Sequence, residues 1–309
     1  MSGLFGPGEL FGLPLLAAGG LVIGAIVLGV RRSRFLVFEE GRYPGLAALR
    51  RATLRARYVG VVAGVVVFFV VAGLGQYGQS IFLAPAMAGA TLIAAVLVGQ
   101  RLTYTRARVV GIAGLERREI SDYVPRHLAV TVAGVLLVLA AVGAWTTAVA
   151  TPDTAGLARA FAQSCTTRSF DGQTQSEQTE VYVSTPFPGA YYSGSMVAGT
   201  VVLLALTWVG AVATTRRPRN GADPELVRVD DALRRQTVEG IIAGLGLAVA
   251  TTLAGLAYAA ALAVGAKACT DAYGLGSWAL AAIAFVALAL ALRFAVIVLV
   301  PGNGARTGS

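Results

Sequence analysis

Residues 128–149 read LAVTVAGVLLVLAAVGAWTTAV, a run of 22 residues without one charged side chain. A helix needs about 20 apolar residues to cross the hydrocarbon core of a bilayer, so this run predicts a transmembrane helix. The whole chain has 309 residues, of which 56% are hydrophobic and 13% are charged. Because soluble domains carry about 25% charged residues, this composition argues against a soluble enzyme and against a disordered chain.

Six further runs have the same character, and together the runs predict an all-α bundle of seven transmembrane helices in one membrane domain. The predicted spans are 12–30, 58–76, 81–99, 128–149, 195–214, 240–264 and 276–300. Arg293, about two helical turns before the end of the last run, is the only charged side chain within them. Seven such helices would leave a soluble protein of this length little polar surface, which favours the membrane interpretation.

Arginine is concentrated in alternate connecting segments, and this pattern predicts the orientation of the chain. Three segments carry 20 of the 24 arginines, namely 31–57, 100–127 and 215–239. The 149–194 and 265–275 connections carry three basic residues between them. Because Lys and Arg accumulate on the cytoplasmic side, we expect the N-terminus outside and the C-terminus inside. The expected location is the plasma membrane of a bacterium.

The arginine-rich segments are interpreted as short helices that lie on the membrane surface. In 46–57, three leucines alternate with arginines at roughly helical spacing, which suits an anionic inner leaflet. Residues 223–239 begin with Asp-Pro-Glu, which is typical of a helix start. The alternative is a nucleic-acid patch, but such patches interleave aromatic residues and these segments have few. The expected partners are therefore the lipid bilayer and its anionic lipids, with no nucleic acid.

The chain has two cysteines, Cys165 in the 149–194 loop and Cys269 in the 265–275 loop. The predicted orientation places both loops outside, where the environment is oxidising, so we expect a disulfide between them. Two separate thiols are the alternative. The bond would tie residues 150–194, expected to form a lid with a short strand or hairpin, over the mouth of the last two spans.

Spans one to three and five to seven share sequence phrases, which predict a parallel internal repeat of residues 1–99 and 195–300. ALRRAT at 48–53 corresponds to ALRRQT at 232–237, and the next spans open with GVVAG and GIIAG. Chance matches in apolar sequence are the alternative. GVVAG and GIIAG each begin and end with a glycine, and glycines four residues apart let helices approach closely. We therefore expect these glycines to lie at helix–helix contacts. These positions are Gly60, Gly64, Gly240 and Gly244.

The sequence lacks the common catalytic and metal-binding constellations. The single histidine, His127, lies at the start of the fourth span, where an interfacial position explains it better than a role as a catalytic base. No GxxxxGK[ST] phosphate loop, no HExxH motif and no lysine within a span occur. We therefore expect no enzyme, no metal and no cofactor.

The polar groups that lie deep in the spans are mild ones. Arg293 is close enough to the inner surface to extend to it, so ion-coupled transport is not indicated. Helical threonines commonly bond to their own backbone, so none of the remaining groups marks a site alone. The candidates to line a cavity are Thr91, Thr207, Trp208, Thr251 and Tyr258.

The phrase RREISDYVPR at 117–126 is the most distinctive in the chain. With the arginine-rich inner loops and the span layout, it resembles uncharacterised multi-span membrane proteins of actinobacteria, mainly over residues 100–130. The resemblance implies a membrane bundle and no particular activity. From the residues alone, we expect Asp122 to pair with Arg118 at helical spacing and Pro125 to turn the chain into the fourth span. A docking site is the alternative to this structural elbow.

Three classes of function agree with these features. The first is a non-catalytic accessory or assembly component that binds another membrane protein. The second is a facilitator for a neutral or lipid-like solute, because the three-plus-one-plus-three layout resembles the small sugar facilitators called SWEETs, although their proline–glutamine motifs are missing. The third is an outward-facing sensor that uses the disulfide-tied loop. The lack of ionisable groups in the membrane interior favours the first.

Single cysteines introduced at Arg50 or Asn220 test the predicted orientation. Because both positions are expected inside, an impermeant maleimide should leave them unlabelled on intact cells and label them after permeabilisation. A cysteine placed in the 149–194 loop serves as the positive control and should react on intact cells. Labelling at either inner position without permeabilisation would end the seven-span arrangement.

Overall fold

The computed structural model describes residues 44–74, 76–106, 120–171, 174–217, 224–266 and 269–300. Six long helices dominate these residues, and each is long and apolar enough to cross a membrane. They are α1 Pro44–Gly73, α2 Ala84–Arg106, α3 Arg126–Val149, α4 Ala190–Thr215, α5 Pro224–Gly265 and α6 Asp271–Leu299. Short 3-10 helices at Gln76–Phe82 and Ile120–Asp122 precede α2 and α3.

These helices agree with six of the seven predicted spans. The first predicted span, 12–30, lies outside the described residues, so α1 corresponds to the second span. The helical bundle is therefore as expected, and a three-stranded antiparallel sheet lies between α3 and α4. The end of the bundle that carries this sheet is called the hairpin end, and the opposite end is called the arginine end.

Two of the predicted surface helices are instead continuous with the spans that follow them, which corrects the sequence interpretation. Residues 46–57 lie within α1, and residues 224–239 lie within α5. Neither stretch contains a proline or a glycine after its start, so nothing interrupts the helix. With 42 residues, α5 is about 63 Å long, roughly twice the thickness of a hydrocarbon core. Of the third segment, residues 107–119 lie outside the described part of the chain.

Helix α5 is the centre of the bundle and contacts each of the other five described helices. Its middle presents small residues to its neighbours, and Ala250, Ala257 and Ala260 have no exposed surface. On one side, a Cβ added to Gly89 of α2 would lie 2.8 Å from the Cβ of Ala248. Such contacts bring helix backbones close together and increase their dispersion attraction.

The outward faces of the helices carry many large apolar side chains. Residues more than half exposed include Val62, Phe69, Leu137, Trp208 and Phe285. Large apolar side chains are rarely exposed in this density on a protein surrounded by water. The exterior of the bundle is therefore suited to contact with lipid tails.

The sheet is a long hairpin whose base rests on the hairpin end of the bundle. Strands β2 Ala158–Asp171 and β3 Thr174–Ser184 pair in register, and β1 Thr151–Pro152 adds to the start of β2. The ring of Phe161 contacts the ring of Phe187 at a centroid distance of 5.1 Å. The predicted strand or hairpin in this loop is confirmed, although it is longer than the sequence pattern indicated.

Cys165 and Cys269 form a disulfide with their Cα atoms 5.2 Å apart, the pairing that the sequence predicts. The bond joins β2 to the short connection between α5 and α6. Gln163 adds a second attachment because its Nε2 donates to the carbonyl oxygen of Val264 at 2.8 Å. The base of the hairpin is thus fixed to the last turn of α5.

The four glycines expected at helix contacts all lie against neighbouring helices, but the two pairs have different neighbours. Gly60 and Gly64 face α2, the next helix of their own proposed copy. Gly240 faces Arg57 of α1, and Gly244 faces α2, so this pair contacts the other copy. The central position of α5 explains the difference, since Gly240 and Gly244 point to α1 and α2 rather than to α6. The repeat itself stays a prediction, because its first span lies outside the described residues.

Substitution of Gly64 tests the close contact of α1 and α2. A Cβ there would lie 2.9 Å from the backbone oxygen of Ala88, so Gly64→Ala must move a helix. We expect a cost of about 1–3 kcal/mol and a lower melting temperature in mild detergent. Gly134→Ala is the matched control, because nothing lies within 4 Å of its added Cβ. Equal melting temperatures for both variants would contradict this packing.

Candidate functional site

The residues proposed to line a cavity are largely engaged within their own helices or directed outward. The hydroxyls of Thr91, Thr207 and Thr251 each donate at 2.8 Å to the carbonyl oxygen four residues earlier. Trp208 is 65% exposed and so lies on the outer surface of the bundle. Tyr258 is half-buried. These groups therefore give little support to a polar pathway at mid-depth.

The structure instead brings buried polar side chains together at the arginine end. Asp230 and Arg234 of α5 have no exposed surface, and Arg57 of α1 is 3% exposed. Gln100 of α2 and Thr214 of α4 are also buried. Four helices thus contribute to one group of residues, called here the arginine layer, which consists of Arg57, Gln100, Thr214, Thr215, Arg217, Asp230 and Arg234.

Asp230 is the acid at the centre of this layer. Its Oδ1 accepts a hydrogen bond from Nη2 of Arg217, and its Oδ2 accepts one from Nη2 of Arg234, both at 2.5 Å. Nε of Arg234 also donates to Oδ2 at 3.1 Å, so two N–H groups of this guanidinium share one carboxylate oxygen. Nη1 of Arg234 lies 3.3 Å from the carbonyl oxygen of Thr215 at the end of α4. The ion pairs therefore join the ends of α4 and α5.

Arg57 enters the layer from α1 and lies against α5. Its Nη2 donates to the backbone carbonyl oxygen of Gln236. The guanidinium occupies the space left by Gly240, because a Cβ at that position would lie 2.5 Å from Nη2. Gly240, which the sequence assigned to helix packing, thus makes room for a buried arginine.

Gln100 enters the layer from α2 and faces α4. Its Oε1 lies 3.4 Å from the hydroxyl of Thr214, which also lies 2.8 Å from the carbonyl oxygen of Gly210. Nε2 of Gln100 and Nε of Arg57 are buried and have no hydrogen-bond partner among the residues that the structure describes. The layer is therefore rich in positive charge and hydrogen-bond donors.

The arginine layer was not predicted from the sequence, because the arginines were interpreted as a uniform surface charge. Helical spacing carries the missing signal. Arg57 is three residues before Gly60 and seven before Gly64, so it shares their inward face. Asp230, Arg234 and Val238 follow one another at intervals of four, which places the ion pair on the buried face of α5. Charged residues on the same face as packing residues are the pattern to look for.

The described part of the distinctive phrase, residues 120–126, forms an elbow that rests on α5. Nη2 of Arg235 donates to the carbonyl oxygen of Asp122 at 3.1 Å, and the hydroxyl of Tyr123 donates to Asp231 at 3.1 Å. These contacts agree with the structural interpretation of the phrase. Arg118, the expected partner of Asp122, lies outside the described residues.

At the hairpin end, Asp153 organises the turn between β1 and β2. The backbone N–H of Leu157 donates to its carboxylate at 2.9 Å and is the main cause that lowers the pKa of Asp153 below its usual value. The side chain of Arg159, at 2.5 Å, and the N–H of Ala155 act in the same direction. Because the pKa is lower in the fold, this carboxylate stabilises the turn at neutral pH and loses that effect as the pH falls through the lowered pKa.

Comparisons with family models, with curated proteins and with solved structures find no match to this chain. Function is therefore argued from burial, packing and charge alone. The resemblance to actinobacterial membrane proteins stays an expectation from the sequence.

Removal of the central acid tests the ion pairs of the arginine layer. Asp230→Ala leaves Arg217 and Arg234 without this carboxylate in a buried setting, so we expect a loss of about 3–5 kcal/mol of stability. Asp231→Ala is the matched control, because Asp231 is half-buried and accepts from a tyrosine hydroxyl, worth about 1 kcal/mol. Melting temperatures and yields in mild detergent provide the measurement. Similar losses in both variants would show that the ion pairs do not hold α4 to α5.

Proposed function

We propose that the chain is a non-catalytic accessory or assembly component of the bacterial plasma membrane. In this proposal it has seven spans, with the N-terminus and the hairpin end outside and the arginine end inside. The observation that carries the proposal is the close packing around the middle of α5. The arrangement of basic residues supplies the orientation.

Close packing at mid-depth argues for a scaffold rather than a solute pathway. A pathway needs space and several groups that form hydrogen bonds with the solute. Around α5, however, a Cβ added to Gly246 would lie 2.8 Å from the ring of Phe294, and Ala250 and Ala257 are fully enclosed. The mid-depth threonine hydroxyls are used by their own helices. The facilitator is therefore the weaker alternative.

The hairpin is the element best placed to meet a partner outside the membrane. Its base is fixed by the Cys165–Cys269 bond and by Gln163, so the strands have a defined direction. Val181 and Val183 lie on one face of β3 and are 63% and 57% exposed. Two valines on a rigid face beyond the bilayer suit the outer segment of another membrane protein, which would shield them from water.

A variant of the hairpin face tests the partner. We expect the chain, purified from its own membranes in mild detergent, to carry another membrane protein in a fixed ratio. Val181→Lys should weaken that association about tenfold, which is ~1.4 kcal/mol. Gln178→Lys is the matched control, because it adds the same charge on the opposite face of the same strand and should leave the ratio unchanged.

A liposome assay tests the alternative function. The purified chain in liposomes should not increase the flux of glycerol or of small sugars above that of empty liposomes. A chain that purifies without a partner and accelerates such flux would contradict the accessory role.

Retention of the partner by Val181→Lys would show that the hairpin face is not the contact surface.

A further inference from the structure

The arginine layer holds more hydrogen-bond donors than it can pair internally. Arg57 is 3% exposed and Gln100 is 7% exposed. Nε of Arg57 and Nε2 of Gln100 find no acceptor within the described part of the chain. A buried donor without an acceptor costs about 1–3 kcal/mol, so two of them in one layer indicate an acceptor from outside the described residues.

The two donors lie at the same depth on adjacent helices. A Cβ at Gly99 of α2 would meet the Cβ of Ala56 of α1, so these positions touch across the two helices. Arg57 and Gln100 are the next residue on each helix, and both side chains turn toward the interior, where Arg57 contacts α5 and Gln100 contacts α4. The two donors therefore face the interior from adjacent helices, one toward α5 and the other toward α4.

The charge of the layer indicates what kind of acceptor it takes. Arg57, Arg217 and Arg234 are buried or largely buried, and Asp230 is the one acid among the buried charged residues described there. Asp230 is fully engaged by Arg217 and Arg234, and the half-buried Glu239 of α5 is the carboxylate whose charge acts on Arg57, so the three arginines of the layer face two acids. A buried cation is costly without an anion, so the missing acceptor carries negative charge.

A phosphate group meets these requirements best. Guanidinium N–H groups bind phosphate oxygens strongly, so Nε of Arg57 can donate to one oxygen and the amide N–H of Gln100 can donate to another. The layer lies where the apolar part of α1 begins, next to the exposed arginines Arg51 and Arg55. This is the depth at which phospholipid head groups meet a membrane protein.

We propose that the arginine layer binds a phosphate group through Arg57 and Gln100. Its source is either the head group of an anionic phospholipid or free inorganic phosphate. The phosphate accepts from Nε of Arg57 and from Nε2 of Gln100, while the Arg57 guanidinium occupies the space left by Gly240 and donates to the carbonyl of Gln236. This site is independent of the proposed accessory role, because neither the hairpin nor a partner protein takes part in it.

Thermal unfolding of the full chain in a maltoside detergent tests the site. The probes are dioctanoyl phosphatidylglycerol, dioctanoylglycerol, which lacks the phosphate, and inorganic phosphate. Stabilisation by phosphatidylglycerol but not by dioctanoylglycerol or inorganic phosphate would assign the site to a lipid head group. Stabilisation by inorganic phosphate as well would assign it to free phosphate. Equal effects of the two dioctanoyl compounds with none from inorganic phosphate would overturn the proposal.

Two variants tie the effect to the named side chains. Arg57→Lys keeps the charge but loses the Nε donor, and Gln100→Met keeps the size but loses the amide, so each should weaken the bound probe about tenfold. Arg55→Lys makes the same change at an exposed position two residues away and should stay within about twofold of the unchanged chain. If Arg57→Lys does not fold, probe binding by Gln100→Met decides whether these side chains form the site. Binding equal to that of the unchanged chain in the deciding variant would overturn the proposal.

Discussion

The packing of α5 against all five other described helices is the constraint on which the bundle depends. Lipid tails are as apolar as leucine, so the hydrophobic effect does not press helices together within a membrane. Close contact of small residues supplies the attraction instead, and Gly89, Ala248 and Gly246 allow it on two sides of α5. A larger side chain at such a position would separate helices rather than fill a gap.

Polar interactions fix the two ends of this helix. At the arginine end, Asp230 and Arg234 are joined to the end of α4 by Arg217 and by the carbonyl of Thr215. At the hairpin end, the carbonyl oxygen of Val264 accepts a hydrogen bond from the side-chain amide of Gln163 in the hairpin. The apolar middle holds the helices at a set distance, while the polar ends set which helices meet and in which direction.

The sequence predicts the parts of this arrangement that depend on local pattern. Apolar runs locate the spans, and the cysteines in two connections on one side indicate the disulfide. Charges that are buried by tertiary contacts are harder to find, because Arg57 resembles the exposed Arg55 by residue type and differs from it only in helical phase. The continuity of α5 was not predicted for the same reason. A charged stretch next to a span suggests a separate surface helix, and the sequence does not reveal that Asp230 and Arg234 are buried.

Water access at mid-depth of α5 is the most direct measure of whether the bundle is a packed scaffold. The native cysteines are bonded to each other, so a single introduced thiol reports alone. In membranes, Ala257→Cys should react with a small water-soluble thiosulfonate at least about a hundredfold more slowly than Thr179→Cys on the exposed hairpin, because thiolate forms only where water reaches it. Comparable rates at the two positions would reveal a water-filled pathway and contradict the account.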